Sequence, residues 1–285
     1  MALPDGWRTV PVLADGNRIA LHALGGDGPP LVLAHATGFH GRVWEPVAEQ
    51  LKAELSCLVP DLRGHGDSPS PPGSDFDWRG FAADVLAVVD ELELARPFGA
   101  GHSSGATALL LAEQVRPGTF AALYCFEPII VPADPPLGRD RESWLADSTR
   151  RRRTTFASRE DALRRYAARP PLCDLHPDAL RAYVDYGFED LADGGVRLKC
   201  RPEHEALMYE MATAHPCFVH LSQVCCPVTL ARGGRSEAFG PDRAAAIAAR
   251  LPRVRAEEHL ALGHLGPLQD PHAVASAIRR ALAMR

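Results

Sequence analysis

Short apolar runs of strand length alternate with segments of helical spacing over much of the chain. Val43, Val47 and Leu51 recur every four residues, as one face of a helix requires. From such patterns we predict strands at 31–34, 55–60, 97–100, 120–126, 227–230 and 254–257, and helices at 42–55, 81–94, 106–114, 242–251 and 271–284. This alternation predicts an α/β protein with a doubly wound, mostly parallel sheet.

The alternation stops between residues 131 and 218. This segment begins rich in Pro and Asp and then becomes charged, with helical spacing and no clear buried strand. We therefore expect a helical cap of residues 131–218, folded over one edge of the sheet. The core would be formed by residues 1–130 and 219–285.

Composition limits the class of protein. The chain has 285 residues, of which 46% are hydrophobic and 24% charged, which suits one or two globular domains and excludes a disordered chain. The net charge of −5 provides no positive field that would favour binding to nucleic acid. No apolar stretch reaches the roughly 18 residues of a membrane span. Seven cysteines are an odd number and no secretory leader is visible, so we expect free thiols and a cytoplasmic location.

The sharpest motif is Gly101-His102-Ser103-Ser104-Gly105, which fits G-x-S-x-G. It follows a predicted strand and precedes a predicted helix, where small residues permit a strained turn that exposes a hydroxyl. The helix start behind the turn also supplies amide groups for a developing oxyanion. We therefore predict Ser103 as a nucleophile and the N–H of Ser104 as an oxyanion donor.

Two other interpretations of this glycine-rich turn stay open. It could be a plain loop that closes a strand. It could also bind a dinucleotide, with Glu127 at the end of the next strand contacting a ribose. The spacing from Gly99 to Gly105 is G-x-G-x-x-x-G rather than G-x-G-x-x-G, which makes the dinucleotide interpretation the weaker one.

A second motif, residues 263–267, places His264 between two glycines, after a strand and before the last helix. A base must come from a loop to reach over the edge of a sheet, so His264 is the candidate base. The alternative interpretation is that His264 only belongs to a capping turn. The order of serine, acid and histidine along the chain favours the catalytic interpretation.

A third motif, residues 35–39, ends the strand at 31–34. A loop in this place can direct a backbone N–H into the site, so Thr37 and Ser104 would form an oxyanion hole with two donors. The alternative is an ordinary turn at the end of a strand.

Together these segments resemble the α/β-hydrolase superfamily over nearly the whole chain outside the expected cap. The loop from Asp61 to Ser68 adds to the resemblance, since it is similar to the D-x-R-G-x-G-x-S loop common in that superfamily, where it has a structural role. The resemblance implies a Ser–His–acid triad with Ser103 as nucleophile and His264 as general base and then acid. It also implies that the cap shapes the pocket and that no cofactor or metal is required.

The chain departs from the superfamily at the acid. The usual position is G-x-x-D after the strand at 227–230, but here a serine, Ser236, stands there and Glu237 follows it. Some members carry the acid at the end of the strand after the nucleophile helix, and Glu127 occupies that place. A carboxylate there needs hydrogen bonds, which an imidazole N–H would supply. We favour Glu127, and Glu237 remains the alternative. Ala36, where many members have glycine, is small enough to be tolerated.

Other residues receive weaker interpretations. Candidate pocket residues are Phe39, Trp44, His102 and Trp144. The arginines of the cap are either a solvated face or an attraction for an anionic substrate such as a phosphopantetheine thioester. They are Arg150–Arg153, Arg159, Arg164, Arg165 and Arg169. The cysteines and histidines between 200 and 226 lack the spacing of a zinc site, so no metal is expected.

The predicted function is hydrolysis of a small-molecule acyl ester. Thioesterases, acyltransferases, lactonases and hydrolases of carbon–carbon bonds use the same constellation and stay open as alternatives. A non-catalytic ligand receptor on this fold is an alternative from a different class. The sequence leaves the identity of the substrate and the oligomeric state open.

Overall fold

The computed structural model of the protein describes residues 7–12 and 16–283. Its strands are β1 (Trp7–Val12), β2 (Asn17–Ala23), β3 (Pro30–Ala34), β4 (Ser56–Pro60), β5 (Phe98–His102), β6 (Leu123–Phe126), β7 (Thr155–Phe156), β8 (Phe188–Asp190), β9 (Val196–Leu198), β10 (Val228–Gly233) and β11 (Val254–His259). Its α-helices are α1 (Glu45–Leu51), α2 (Trp78–Glu91), α3 (Ser104–Val115), α4 (Trp144–Arg150), α5 (Arg159–Ala167), α6 (Pro177–Gly187), α7 (Pro202–Met211), α8 (Pro241–Ala248), α9 (Gly266–Gln269) and α10 (Pro271–Ala283).

The main sheet has eight strands in the order β1-β2-β4-β3-β5-β6-β10-β11. The pairs from β4 to β11 are parallel, whereas β1 pairs with β2, and β2 with β4, in antiparallel fashion. The prediction of a mostly parallel α/β sheet is therefore confirmed.

Helices cover both faces of this sheet. One apolar cluster combines Leu31 and Leu33 of β3 with buried residues of α1 and α10. A second cluster combines buried residues of α2 and α3, among them Phe81 and Leu109. Since neighbouring strands are parallel, each connection must cross a face of the sheet, and the helices make these crossings.

The first two strands were not predicted from the pattern. β2 is buried at nearly every position, including the polar residues Asn17 and His22, so it shows no alternation of apolar and polar residues. The helix predicted at 42–55 is shorter than expected. A 3₁₀ turn occupies Gly41–Trp44, and the α-helix begins with Pro46 in its first turn, where proline leaves no hydrogen bond unmade.

The segment between β6 and β10 contains α4 to α7 and a small antiparallel sheet in the order β7-β9-β8. The helical part agrees with the sequence pattern, but the small sheet was not expected. Each of its strands has only two or three residues, too few to produce a periodic signal. That this segment is a cap remains our proposal.

The loop after β4 is fixed by two buried carboxylates. Asp61 accepts hydrogen bonds from the backbone N–H groups of Gly41 and Asp67, at 2.6 and 2.8 Å. Asp84 of α2 accepts from the backbone and the guanidinium of Arg63, and both side chains are almost fully buried. These contacts join the loop to the core and thereby place His65, whose contact with the site is described below.

We expect Asp84→Ala to lower the free energy of unfolding by about 3–5 kcal/mol, because it removes the buried carboxylate that pairs with the buried guanidinium of Arg63. The matched control is Asp90→Ala on the same helix, since the side chain of Asp90 is 62% exposed in its pair with Arg116. That change should lower the free energy by no more than about 1 kcal/mol. Urea unfolding measures both, and equal effects would contradict the assignment.

Candidate active site

Ser103 lies in the sharp turn between β5 and α3, with φ of 54° and ψ of −119°. Its N–H donates to the carbonyl of Phe126 at 2.9 Å, so the sheet holds the strained residue in place. The turn depends on its glycines. A β-carbon on Gly105 would collide with the backbone of Ala34 and His35, and one on Gly101 would lie 2.6 Å from the Cα of Ala106. Small residues thus let α3 start directly against the end of β3.

His264 lies in the loop after β11, and contacts on both sides hold that loop. Gly263 N–H donates to the side chain of Gln269 at 2.8 Å. His102 Nε2 is 2.7 Å from the carbonyl oxygen of His264, to which it donates. The ring of His264 places Nε2 3.2 Å from Ser103 Oγ and Nδ1 2.6 Å from Glu127 Oε2. With the proton on Nδ1, Glu127 accepts from the ring and Nε2 is free to accept from the serine.

Glu127 follows β6 and is completely buried. Its φ of 47° is in the left-handed region, and its N–H donates to the carbonyl of Ala231 at 2.8 Å. The carboxylate accepts from Gly233 N–H and from the hydroxyl of Ser236, both at 2.7 Å, in addition to His264. Both oxygens are therefore engaged within the protein, and neither is free for a ribose as the dinucleotide interpretation requires.

Ser236 occupies the position after β10 where members of the superfamily usually carry the acid. Its hydroxyl donates to Glu127, so the turn after β10 still contributes to the same carboxylate. The sequence showed the serine at this position but gave no signal for this contact. Glu237, the alternative acid, lies exposed on the surface.

The loop at 35–39 lies beside the nucleophile turn, since Ala34 at the end of β3 pairs with Gly101. Gly38 N–H donates to His65 Nε2 at 3.0 Å, and Phe39 N–H donates to Ala36. Within the described ranges, the N–H groups of Thr37 and Ser104 have no protein acceptor. These two donors are thus available at the edge of the sheet where Ser103 lies.

His65 contacts this loop through Gly38, and the sequence analysis did not identify it. Its Nε2 accepts from Gly38 and its Nδ1 is 3.1 Å from the carbonyl of Arg63, an arrangement that only a neutral imidazole can make. Burial, together with the neighbouring His35, lowers the pKa of His65 to about 3. His35 is likewise buried, and burial lowers its pKa while its Nε2 accepts from the N–H of Leu62.

The four candidate pocket residues lie in different surroundings. Phe39 is half-buried, with its ring 5.2 Å from that of Tyr183 in α6. His102 is buried against the loop of His264. Trp44 is only 1% exposed and packs in the apolar core. The assignment of Trp144 to a pocket must be corrected, since this residue is 77% exposed at the start of α4.

Most of the arginines named for the cap are paired with carboxylates. Their partners are Glu210 for Arg150, Glu205 for Arg152, Asp161 for Arg153 and Arg164, and Asp190 for Arg159. Pairing removes much of the positive field that an anionic substrate would meet. The pair of Arg152 and Glu205 is more buried than the other four pairs, with side-chain exposures of 22% and 5%.

Among the described residues, the side chains that could jointly hold a metal ion are His22, Asp61 and Asp67, with ligand atoms within 4.8 Å of one another. These groups already bind one another and neighbouring groups, since Asp61 accepts from His22 and Asp67 pairs with Lys199. They therefore form a hydrogen-bonded corner of the loop after β4. In the same described part of the chain, no helix is long and apolar enough to cross a bilayer.

Residues 31–277 match the Alpha/beta hydrolase family, which is most of the chain. The protein therefore belongs to the alpha/beta hydrolase family.

Individual relatives are similar over different lengths. The chain is 39% identical over 66 residues to a pimeloyl-(acyl-carrier protein) methyl ester esterase of Aeromonas salmonicida, which covers 23% of this chain and 26% of that protein. The chain thus aligns with about a quarter of that relative's length.

Solved structures are similar over nearly the whole chain. E-2-(acetamidomethylene)succinate hydrolase has a TM-score of 0.80 at 20% identity, covering 97% of this chain and 98% of that one. A thermophilic esterase from Thermogutta terrifontis has a TM-score of 0.74 at 23% identity, with coverage of 97% and 98%. At these identities the similarity shows the fold.

Buried neutral histidines should make stability depend on pH. Burial lowers the pKa of His65 to about 3 and that of His40 to about 4, whereas an unfolded histidine has a pKa near 6.5. The stability from each is therefore complete above about pH 6.5 and is lost as pH falls towards the folded pKa, at about 1.4 kcal/mol per pH unit.

We expect His65→Gln, whose amide oxygen can still accept from Gly38, to reduce this slope by about 1.4 kcal/mol per pH unit between roughly pH 6 and 4. Urea unfolding across this range measures the slope. His272→Gln is the control, since His272 is exposed and should leave the slope unchanged. A slope that is identical in all three proteins would show that His65 is not held neutral.

Proposed function

We propose that the protein is a serine hydrolase that cleaves a carboxylic ester of a small to medium-sized substrate through an acyl-enzyme. The observation that supports this most strongly is the hydrogen-bonded series of Ser103, His264 and Glu127, with distances of 3.2 and 2.6 Å. A nucleophile, a base and an orienting carboxylate in this order are what acyl transfer requires.

In the first half of the reaction, His264 Nε2 takes the proton of the Ser103 hydroxyl as Oγ attacks the ester carbonyl. The carbonyl oxygen becomes an oxyanion, which the N–H groups of Thr37 and Ser104 stabilise. Glu127 keeps the Nδ1 proton in place and stabilises the imidazolium that forms. The intermediate collapses as His264 gives its proton to the alcohol oxygen, which leaves.

In the second half, water replaces the alcohol. His264 takes a proton from this water, whose oxygen attacks the acyl carbon, and the same two N–H groups meet the second oxyanion. The proton then passes to Ser103 Oγ as the acid leaves, which restores the starting state. Every proton is moved by His264, so the scheme needs neither a metal nor a cofactor.

The choice of an ester over related bonds is supported by the names of similar proteins. Proteins with similar sequence segments or folds include esterases by name, among them those from Aeromonas salmonicida and Thermogutta terrifontis. The same residues would also serve a thioester, a lactone or a carbon–carbon bond. We propose that the segment between β6 and β10 acts as the cap that selects among them. The seven free cysteines are compatible with the cytoplasmic location that we propose.

Ser103→Ala should lower kcat for a short-chain 4-nitrophenyl ester by at least about a thousandfold, since it removes the nucleophile. Because the hydroxyl is small and lies at the sheet edge, thermal unfolding should change little. A fluorophosphonate probe should label the unaltered protein at Ser103 and leave the variant unlabelled. An unaltered protein that neither hydrolyses esters nor reacts with the probe would instead support a non-catalytic receptor.

Glu127→Gln should lower kcat by about 10²–10⁴-fold, because a neutral amide no longer fixes the tautomer of His264 or stabilises its cation. Glu237→Gln is the matched control and should leave kcat within about twofold, since Glu237 is exposed. Steady-state kinetics of the two variants compare the two candidate acids. Loss of activity in Glu237→Gln alone would overturn the assignment of Glu127.

A further inference from the structure

A second buried carboxylate lies against the loop that carries the candidate oxyanion donor. Glu205 is in α7 and is 4% exposed. A β-carbon placed on Gly38 would lie 3.0 Å from the Cδ of Glu205. Gly38, with φ of 82°, therefore leaves the space that this carboxylate fills. A negative charge is thus placed next to Thr37, whose N–H would stabilise the negative oxyanion.

The charge of Glu205 is balanced by Arg152. Arg152 donates to Glu205 Oε2 at 2.6 Å and to the hydroxyl of Tyr183 at 2.9 Å, while Tyr209 donates to Oε1 at 3.2 Å. Burial alone would lower the pKa of Arg152, but Tyr183 and Glu205 raise it well above its ordinary value. The guanidinium therefore stays charged beside the carboxylate.

Stability alone does not explain an ion pair in this place, because burying two charges often contributes little to the free energy of unfolding compared with apolar side chains. An unpaired Glu205 would repel an oxyanion at the neighbouring loop. Two unit charges within about 10 Å at an effective dielectric of about 20 can change a rate by about tenfold or more. The pairing removes this repulsion while the carboxylate still packs on Gly38.

We propose that Arg152 serves the hydrolytic reaction by cancelling the negative charge of Glu205 beside the oxyanion loop. The inference rests on the proposed function, because it concerns the oxyanion of that reaction. Arg152 acts through Glu205 and need not touch the substrate. Of the four arginines at 150–153, Arg152 would then have a role in the reaction rather than being part of a solvated surface.

The same helix provides a matched control. Glu210, five residues further along α7, is also 4% exposed and is paired with Arg150 and Arg139. It differs from Glu205 in its partners, since α4 and the loop before it supply them. The arginines of this second pair are 36% and 39% exposed. Changing Glu210 or Arg150 tests the effect of disturbing another ion pair of α7 without changing the charge next to Gly38.

The experiment compares Arg152→Met, Glu205→Gln and the double variant with a neutral substrate, 4-nitrophenyl acetate. Arg152→Met leaves the anion unpaired and should lower kcat by about tenfold or more with KM nearly unchanged. Glu205→Gln leaves a cation and should keep kcat at or above that of the unaltered protein. The double variant should recover kcat to within about threefold. Arg150→Met and Glu210→Gln should give no such asymmetry.

The difference in kcat between Arg152→Met and Glu205→Gln separates the proposal from a purely structural role. In a structural role, both variants would have a lower kcat and a lower melting temperature. Equal losses in Arg152→Met and Glu205→Gln would therefore overturn the proposal. The same variants are also assayed with an ester that carries a carboxylate. A rise in the KM of Arg152→Met for this ester alone would also overturn the proposal, since Arg152 would then bind substrate directly. If the unaltered protein shows neither turnover nor labelling at Ser103, the proposed function fails and this inference fails with it.

Discussion

A carboxylate without contact with water can remain charged only if its oxygens are hydrogen-bonded, and the site depends on how Glu127 meets this condition. Its donors come from the end of β10, from the turn that follows, and from the loop after β11. One anion therefore joins the end of β6 to two stretches that are far apart in sequence, the end of β10 with its turn and the loop after β11. The contact with Glu127 fixes the ring of His264 at Nδ1, and in this orientation Nε2 lies 3.2 Å from Ser103 Oγ.

Much of the core and the nucleophile turn could be predicted from the sequence. Ser103 and His264 each stand among small residues between a strand pattern and a helix pattern, and parallel strands bring such loops to one edge of a sheet. The choice between Glu127 and Glu237 could be ranked but not decided. It depends on a left-handed backbone at Glu127 and on donors more than a hundred residues away, such as Gly233.

Contacts between segments were beyond the sequence pattern. The strands β7 to β9 are too short to show a period, and β2 buries His22 because this side chain pairs with Asp61. The aromatic character of Trp144 suggested a pocket, but only its place on the outer side of α4 shows that it faces solvent. Arg152 looks like its neighbours in sequence, and the structure alone distinguishes it by the buried partner it meets.

Parallel neighbours such as β6 and β10 cannot be joined by a tight hairpin, so every chain with this sheet needs a long connection between them. The proposed cap is an enlargement of this obligatory connection. Ser103 and His264 lie outside it, and Glu127 precedes its helices. Insertions, deletions and exchanges there can therefore accumulate during evolution while the reacting groups stay in register, which gives one scaffold a means to acquire new substrates.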